Sequence, residues 1–404
     1  MSRKDTAREP LLTRRFVIVV ISGIFYFIAL GALLPVVPRY VDRRLGGNDV
    51  AVGVAVGAMA VGSVLLRPLA GRIGDRFGRR VLMVGGALVV AVTAAAAGLV
   101  ESLGWLAGTR FLMGLGEACF FVGGTTMATD LAPVSRRGEA VSYWSVAVWT
   151  GLGLGPVVGE ALLGASGYDL VWTVAGVSAL VAALVALATT ETRGPVHAER
   201  GRLIAPAAVR PGVILAATLI GITGFSIFLP LYGPEVGVDD VGLVFLVYGL
   251  VVLTVRIVGA RLPDILGPIR AGSIAIGSIT VGLTVAATWH APAGLVVGAV
   301  ILAVGSSFLY PAALLLALRG VPEHNRASVV GTLSAFFDFA SGAAGITLGS
   351  IAAVSSYQGA FAVSAVLAGV AFVLLRSGFA GHAEGRVPTI AEIAPATVDP
   401  TPLP

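Results

Sequence analysis

Gly71-Arg72-Ile73-Gly74-Asp75-Arg76-Phe77-Gly78-Arg79-Arg80 forms a short polar island between two long apolar runs. Gly71 and Gly78 permit a tight turn there, because glycine tolerates positive φ. Asp75 is placed to accept hydrogen bonds from a facing helix N-terminus, where the macrodipole favours an anion. Arg76, Arg79 and Arg80 are also the residues that would pin such a loop to the cytoplasmic side of a membrane.

Working outward from the island, the apolar character never stops. Of 404 residues 56% are hydrophobic and only 12% charged, where a soluble domain needs about 25% charged residues to wet its surface. That balance excludes a water-soluble particle. Runs of about 20 apolar residues, enough to cross the hydrocarbon, begin near Phe16, Val50, Val81, Trp105, Val141, Tyr168, Gly212, Asp240, Ala271, Ala293, Ala327 and Gln358. The strict alternation of β-barrel strands is absent. The first run is too long for a secretory segment and reaches Pro35 and Pro38 without a small-residue cleavage site, so it reads as an uncleaved span. The 54 glycines suit helix packing in lipid.

Charge placement gives an orientation. Of 27 basic residues, 21 fall on the side of the N-terminus, three (Arg39, Arg43, Arg44) on the other, and Arg67, Arg110 and Arg256 inside spans. The positive-inside rule then puts both termini in the cytoplasm, and the net charge of +5 needs no nucleic-acid partner. Cys119 stands alone and His197, His290, His324 and His382 lie far apart, so no metal site, catalytic cysteine pair or cofactor is expected. No nucleotide-binding loop of the G-x-x-x-x-G-K-[ST] form occurs.

An offset of 189 residues superposes Arg67 on Arg256, Asp75 on Asp264, Gly78 on Gly267, Gly116 on Gly305, Pro133 on Pro322 and Arg137 on Arg326. One constant offset through three regions implies two homologous six-helix halves. The expected organisation is a cytoplasmic segment 1–15, a bundle 16–190, a linker 191–211, a bundle 212–376 and a disordered tail 377–404. Two such halves suit alternating access to a central cavity.

The polar island resembles the loop 2–3 signature of the major facilitator superfamily. Gly31-Ala-Leu-Leu-Pro35-Val-Val-Pro38 resembles its first-span signature and Arg110-Phe-Leu-Met-Gly114-Leu-Gly116 its fourth-span one. Gly151-Leu-Gly-Leu-Gly155-Pro156-Val-Val-Gly159 is similar to the fifth-span motif of drug:proton antiporters, with Glu160 where the motif has a second glycine. The resemblance implies an all-α membrane protein of twelve helices in two pseudo-symmetric bundles. It further implies that the loop (Gly71, Asp75, Arg76, Gly78, Arg79, Arg80) latches onto the eleventh helix near Arg326, shutting the inside in the outward-open state. It also implies that Gly151, Gly155 and Gly159 form a seam against the eighth helix, loosened by Pro156, and that Arg110 takes part in proton movement.

Ionisable groups inside spans are costly and are functional candidates by default. Arg110 and Glu117, seven residues apart, share one helix face with Met113 between them. Mid-span burial favours the neutral carboxyl, so Glu117 reads as a proton carrier modulated by Arg110, or else the two brace the bundle as a static pair. Asp338 reads as the partner of Arg67 at the inter-half seam, with a substrate or proton site as the other reading. Glu160, nearer the external end, reads as a gate or solvated residue. Tyr26, Met113, Glu117, Trp149, Phe225, Phe228, Tyr310 and Phe337 are candidate cavity lining for a lipophilic, cationic substrate. No second cavity arginine for organic phosphates and no dense set of sugar-binding amides stands out.

These readings converge on a monomeric secondary transporter of the bacterial plasma membrane that exchanges small lipophilic or amphipathic compounds for protons. The alternative is a metabolite permease for sugar- or acid-like solutes, acting as a uniporter or symporter. If the loop is a latch, Asp75→Asn should reach the membrane in normal amount and lose transport, and unchanged transport would remove the latch.

Overall fold

Backbone polar groups in hydrocarbon must be satisfied within their own segment, so apolar runs of this length fold as helices. A computed structural model describes residues 10–99, 101–133, 136–192, 205–259, 262–322 and 326–378. Most of the expected linker and nearly all of the expected tail therefore lie outside the described residues. The helices are α1 (Arg14–Arg39), α2 (Asp49–Phe77), α3 (Arg79–Ala97), α4 (Leu103–Asp130), α5 (Arg137–Leu187), α6 (Pro206–Glu235), α7 (Val241–Val258), α8 (Leu262–Leu266), α9 (Pro268–Thr288), α10 (Pro292–Ala317), α11 (Arg326–Val354) and α12 (Tyr357–Gly378). A π-helical turn, Tyr40–Arg44, extends α1. Eleven of the described helices are long and apolar enough to cross a membrane. One of them, α5, carries two spans, because Ser166 and Gly167 leave helical geometry (Gly167 φ 77°) and separate limbs 137–165 and 168–187.

Two boundaries differ from expectation. Thr13 caps α1, its hydroxyl accepting from the Phe16 N–H at 3.3 Å. The second half starts earlier than the apolar pattern indicates: α6 begins at Pro206, inside the expected linker, because proline at the first helical position needs no hydrogen-bond partner for its nitrogen.

The internal repeat is visible in three dimensions. Gly78 and Gly267, 189 residues apart, both hold positive φ, at 106° and 76°. A Cβ on Gly116 would lie 2.7 Å from the Gly86 carbonyl of α3, and one on Gly305 would lie 2.5 Å from the Ala275 carbonyl of α9. Gly86 and Ala275 obey the same offset. The halves are not identical: α2 runs unbroken to Phe77, whereas its counterpart α7 stops at Val258 and resumes as the short α8.

The glycine stripe of α5 packs elsewhere than the family resemblance implied. A Cβ on Gly155 would lie 2.5 Å from Gly31 Cα, and those on Gly151 and Gly159 would collide with Phe27 and Ala32, all on α1. The seam is therefore internal to the first half. Toward the eighth span, α7, the helix turns Gly153 instead, whose Cβ would sit 3.4 Å from Gly249 Cα. The stripe and Gly153 lie on different faces of one helix, which the spacing alone does not assign to partners. Overpacking against backbone costs about 1–3 kcal/mol. Gly155→Leu should therefore lower the melting temperature of the purified protein by several degrees, whereas Gly153→Leu should leave it folded and slow transport.

Candidate functional site

Close contact between α2 and α4 builds the centre of the molecule. Glycines at Gly62 and Gly114 leave room for the Phe111 and Met59 carbonyls of the opposite helix. The approach brings Ser63 and Arg67 of α2 against Glu117 of α4. Arg67 Nη2 donates to Glu117 Oε2 at 3.0 Å and Oε1 at 3.2 Å, and Ser63 Oγ donates to the same carboxylate. The other terminal nitrogen, Arg67 Nη1, lies 2.9 Å from Asp338 Oδ2 on α11. The guanidinium also lies 5.0 Å from the centre of the Phe121 ring. One cation thus sits between two carboxylates, one from each half, and all three side chains are at least four-fifths buried.

Arg110 does not join this group. Two helical turns separate it from Glu117 along α4, about 10.5 Å of rise, and its Nη1 instead donates to Met113 Sδ at 3.3 Å. The expected Arg110–Glu117 pair is replaced by the Arg67–Glu117 pair. Several aromatic candidates are also interior. Tyr26 stacks on Phe120 at 3.7 Å, Phe225 packs on Phe361 at 5.6 Å and Phe228 on Tyr357 at 5.7 Å. These three and Met113 are fully buried and line no open surface in this conformation. Trp149, Tyr310 and Phe337 remain partly exposed, with Tyr310 edge-on to Phe337 and its hydroxyl 3.3 Å from Ser334 Oγ.

The loops richest in arginine share the face on which α1 begins, here the basic face. Toward the opposite face the halves are joined. Arg39 of α1 binds Glu160 of α5 with both carboxylate oxygens, at 2.7 and 2.5 Å, and its Nε donates to the Pro230 carbonyl of α6 at 3.1 Å. That carbonyl is available because its helical donor would be the nitrogen of Pro234, which carries no hydrogen. Glu160 is therefore part of a closure between halves rather than a solvated side chain. Tyr357 donates to Asp49 at 2.9 Å nearby, and Gly345 packs against Gly53 along the α2–α11 seam.

Toward the basic face the same seam opens. Gly71 and Gly331 lie on the helix faces that carry Gly53 and Gly342, yet a Cβ on either would meet nothing within 4 Å. The polar island is tied within its own half. Asp75 pairs with Arg79 at 2.8 Å, and Arg79 reaches Asp130 at 3.3 Å and the Gly74 carbonyl at 3.1 Å. Glu191 caps α3, accepting from the N–H groups of Arg79 and Arg80 at 2.6 and 3.3 Å. It also occupies the space a side chain at Gly78 would need, so Gly78 is required for room as well as for its φ. Among the described residues Asp75 makes no ion pair or side-chain hydrogen bond with the eleventh helix; the side chains of Arg326 and Ala327, at its start, lie outside those described.

Two pseudo-symmetric six-span bundles, closed at one face and parted at the other, are the architecture of one large family. The sequence matches the Major Facilitator Superfamily over residues 19–291 and 240–391. The chain belongs to that superfamily. It is 28% identical over 364 residues to an uncharacterized MFS-type transporter of Salmonella typhimurium (strain LT2), covering 85% of this chain and 90% of the relative. It is 26% identical over 385 residues to one of Burkholderia mallei (strain SAVP1), covering 91% and 93%. Among solved structures it is similar to a POT family transporter in complex with a thioalcohol-conjugated peptide (TM-score 0.76, 14% identity, covering 91% of this chain and 96% of that one). It is also similar to a bacterial homolog of the human lysosomal transporter Spinster in an inward-facing, occupied conformation (TM-score 0.74, 15%, 89% and 95%). This superfamily member is a multi-pass membrane transporter and not an enzyme.

Sequence spacing missed Glu191, placed at the start of the linker, and Arg39, counted with the arginines of the loop face opposite the N-terminus. Their only signal was an acid beyond the sixth span and an arginine directly after Pro38. Within this transporter, removing one member of a buried ion pair costs about 3–5 kcal/mol, and Arg67 serves two. Arg67→Gln should therefore lower the melting temperature more than Asp338→Asn, which leaves Arg67 with Glu117. The double variant Arg67→Gln/Asp338→Asn should recover part of the loss.

Proposed function

We propose that this transporter exports small lipophilic or amphipathic compounds in exchange for protons, working as a monomer by alternating access in a bacterial plasma membrane. The basic face is then cytoplasmic, and the conformation described above is open to the cytoplasm. The observation that carries the reading is Arg67 held between Glu117 and Asp338 at the inter-half seam.

With all three groups ionised the cluster carries one surplus negative charge in surroundings of low dielectric, and one proton removes it. Parting α2 from α11 would take Asp338 away from Arg67. A carboxyl deprived of its guanidinium among apolar side chains favours the neutral acid, so opening of the seam draws in a proton and closure expels it. Seam geometry and proton occupancy thereby become linked equilibria, which is what exchange requires. Arg39, Glu160 and the Pro230 carbonyl act as the external gate. Asp75 and the basic loop act as the cytoplasmic latch of the alternate state. Arg110, enclosed and bonded to Met113, acts by positioning α4.

In inverted proteoliposomes the wild type should accumulate a lipophilic dye only when the lumen is acidified. Glu117→Gln and Asp338→Asn should keep downhill dye exchange and lose gradient-driven accumulation. Equal wild-type uptake with and without the gradient would establish a uniporter and overturn proton exchange. Dye uptake driven by outside protons would establish symport.

A further inference from the structure

The 189-residue offset maps the triad of the α2–α11 seam onto the second seam, between α7 and α5. Arg67 corresponds to Arg256, Glu117 to Ser306 and Asp338 to Trp149. The backbone geometry is repeated: Gly249 faces Gly153 as Ala60 faces Gly342. Arg256 lies seven residues beyond Gly249 and so shares its face, turned to α5. Its guanidinium sits 4.6 Å from the centre of the Trp149 ring, much as that of Arg67 sits on Phe121.

The acids are what differ. Ser306 accepts from the Tyr248 hydroxyl at 2.8 Å and donates to the Ala303 carbonyl at 3.0 Å. Among the described residues no carboxylate lies in ion-pair range of Arg256 and no hydrogen bond is made by it, and its Nε is buried without a partner. One seam therefore supplies its arginine with carboxylates of its own, and the other presents a largely buried guanidinium on an indole face. The indole compensates part of the lost hydration. The planar fork of N–H donors still lacks the oxyanion it fits best. Glu117, by contrast, is already occupied by Arg67, which removes the ground for a cationic substrate. Arg256, which the sequence places inside a span and the repeat pairs with Arg67, is the second arginine that did not stand out there as a cavity residue.

We propose that Arg256, seated on Trp149 at the α5–α7 seam, is the anion-recognition point for a substrate carrying a carboxylate, sulfonate or phosphate on an aromatic or lipophilic body. The proposal rests on the transporter reading above and narrows its substrate class. Anionic lipid headgroups carry the same oxygens, so the test separates the two sources.

The test measures binding of dansylglycine, an aromatic carboxylate, and of neutral dansylamide by fluorescence polarisation, with the full chain in nanodiscs of phosphatidylcholine or phosphatidylglycerol. A charge-assisted bond predicts about tenfold tighter binding of dansylglycine in both lipids. Arg256→Gln should abolish the preference and Arg256→Lys should keep part of it. Ser306→Glu, which installs the acid of the first seam, should abolish it in a chain that retains Arg256. Equal binding of the two probes by the wild type, or a preference retained in Ser306→Glu, overturns the site. Stabilisation by phosphatidylglycerol that depends on Arg256, without any dansylglycine preference, overturns it in favour of a headgroup. Gradient-driven transport, assayed separately in proteoliposomes, bears on proton exchange alone: its absence beside an intact dansylglycine preference sinks the exchange reading and leaves the anion site standing.

Discussion

A single guanidinium shared by two carboxylates is the constraint around which this transporter is arranged. Arg67 cannot satisfy Glu117 and Asp338 together unless α2 stands against α4 and α11 at once. Tight helix contacts at Gly62, Gly114 and Gly342 make that arrangement possible, because bulkier residues there would meet neighbouring atoms. In a low-dielectric seam the penalty for separating such charges is large. In the proposed mechanism the position of one half relative to the other is thereby linked to how many of the acids are ionised.

Duplication explains why the rest of the molecule echoes this seam without copying it. Both halves keep the tight loop at Gly78 and Gly267 and the close α3–α4 and α9–α10 packing. Chemistry has diverged where geometry has not. The first seam stores its acids, and the second has replaced them with a serine and an indole. A transporter with two equivalent seams can assign them different duties, one to the coupling ion and one to the solute, while the backbone motion that serves both stays the same.

Much of the fold was legible in the sequence. Span positions followed from hydrophobic length, and the repeat from one constant offset. The meeting of Arg67 with Asp338 could be read because charges within spans are few and must find each other. Partner choice between helices was harder. Arg110 and Glu117 share a face, yet a shared face says nothing about reach, and the counter-ion came from α2. The α5 stripe showed that some helix approaches closely, and only the packing revealed that α1 does. Arg39 looked like a loop arginine because burial is a property of the assembled bundle. Glu191 caps α3 from 112 residues away, a distance no local pattern encodes.

Pro234 leaves a lasting mark on this architecture. By lacking a hydrogen it strands the Pro230 carbonyl, and Arg39 takes up the vacancy. Parting the halves at that face therefore leaves one donor, Arg39 Nε, and one bare carbonyl for water to satisfy, while Arg39 keeps Glu160 within its own half. Closure of that face thus depends in part on an imino acid in α6 that need touch no cargo.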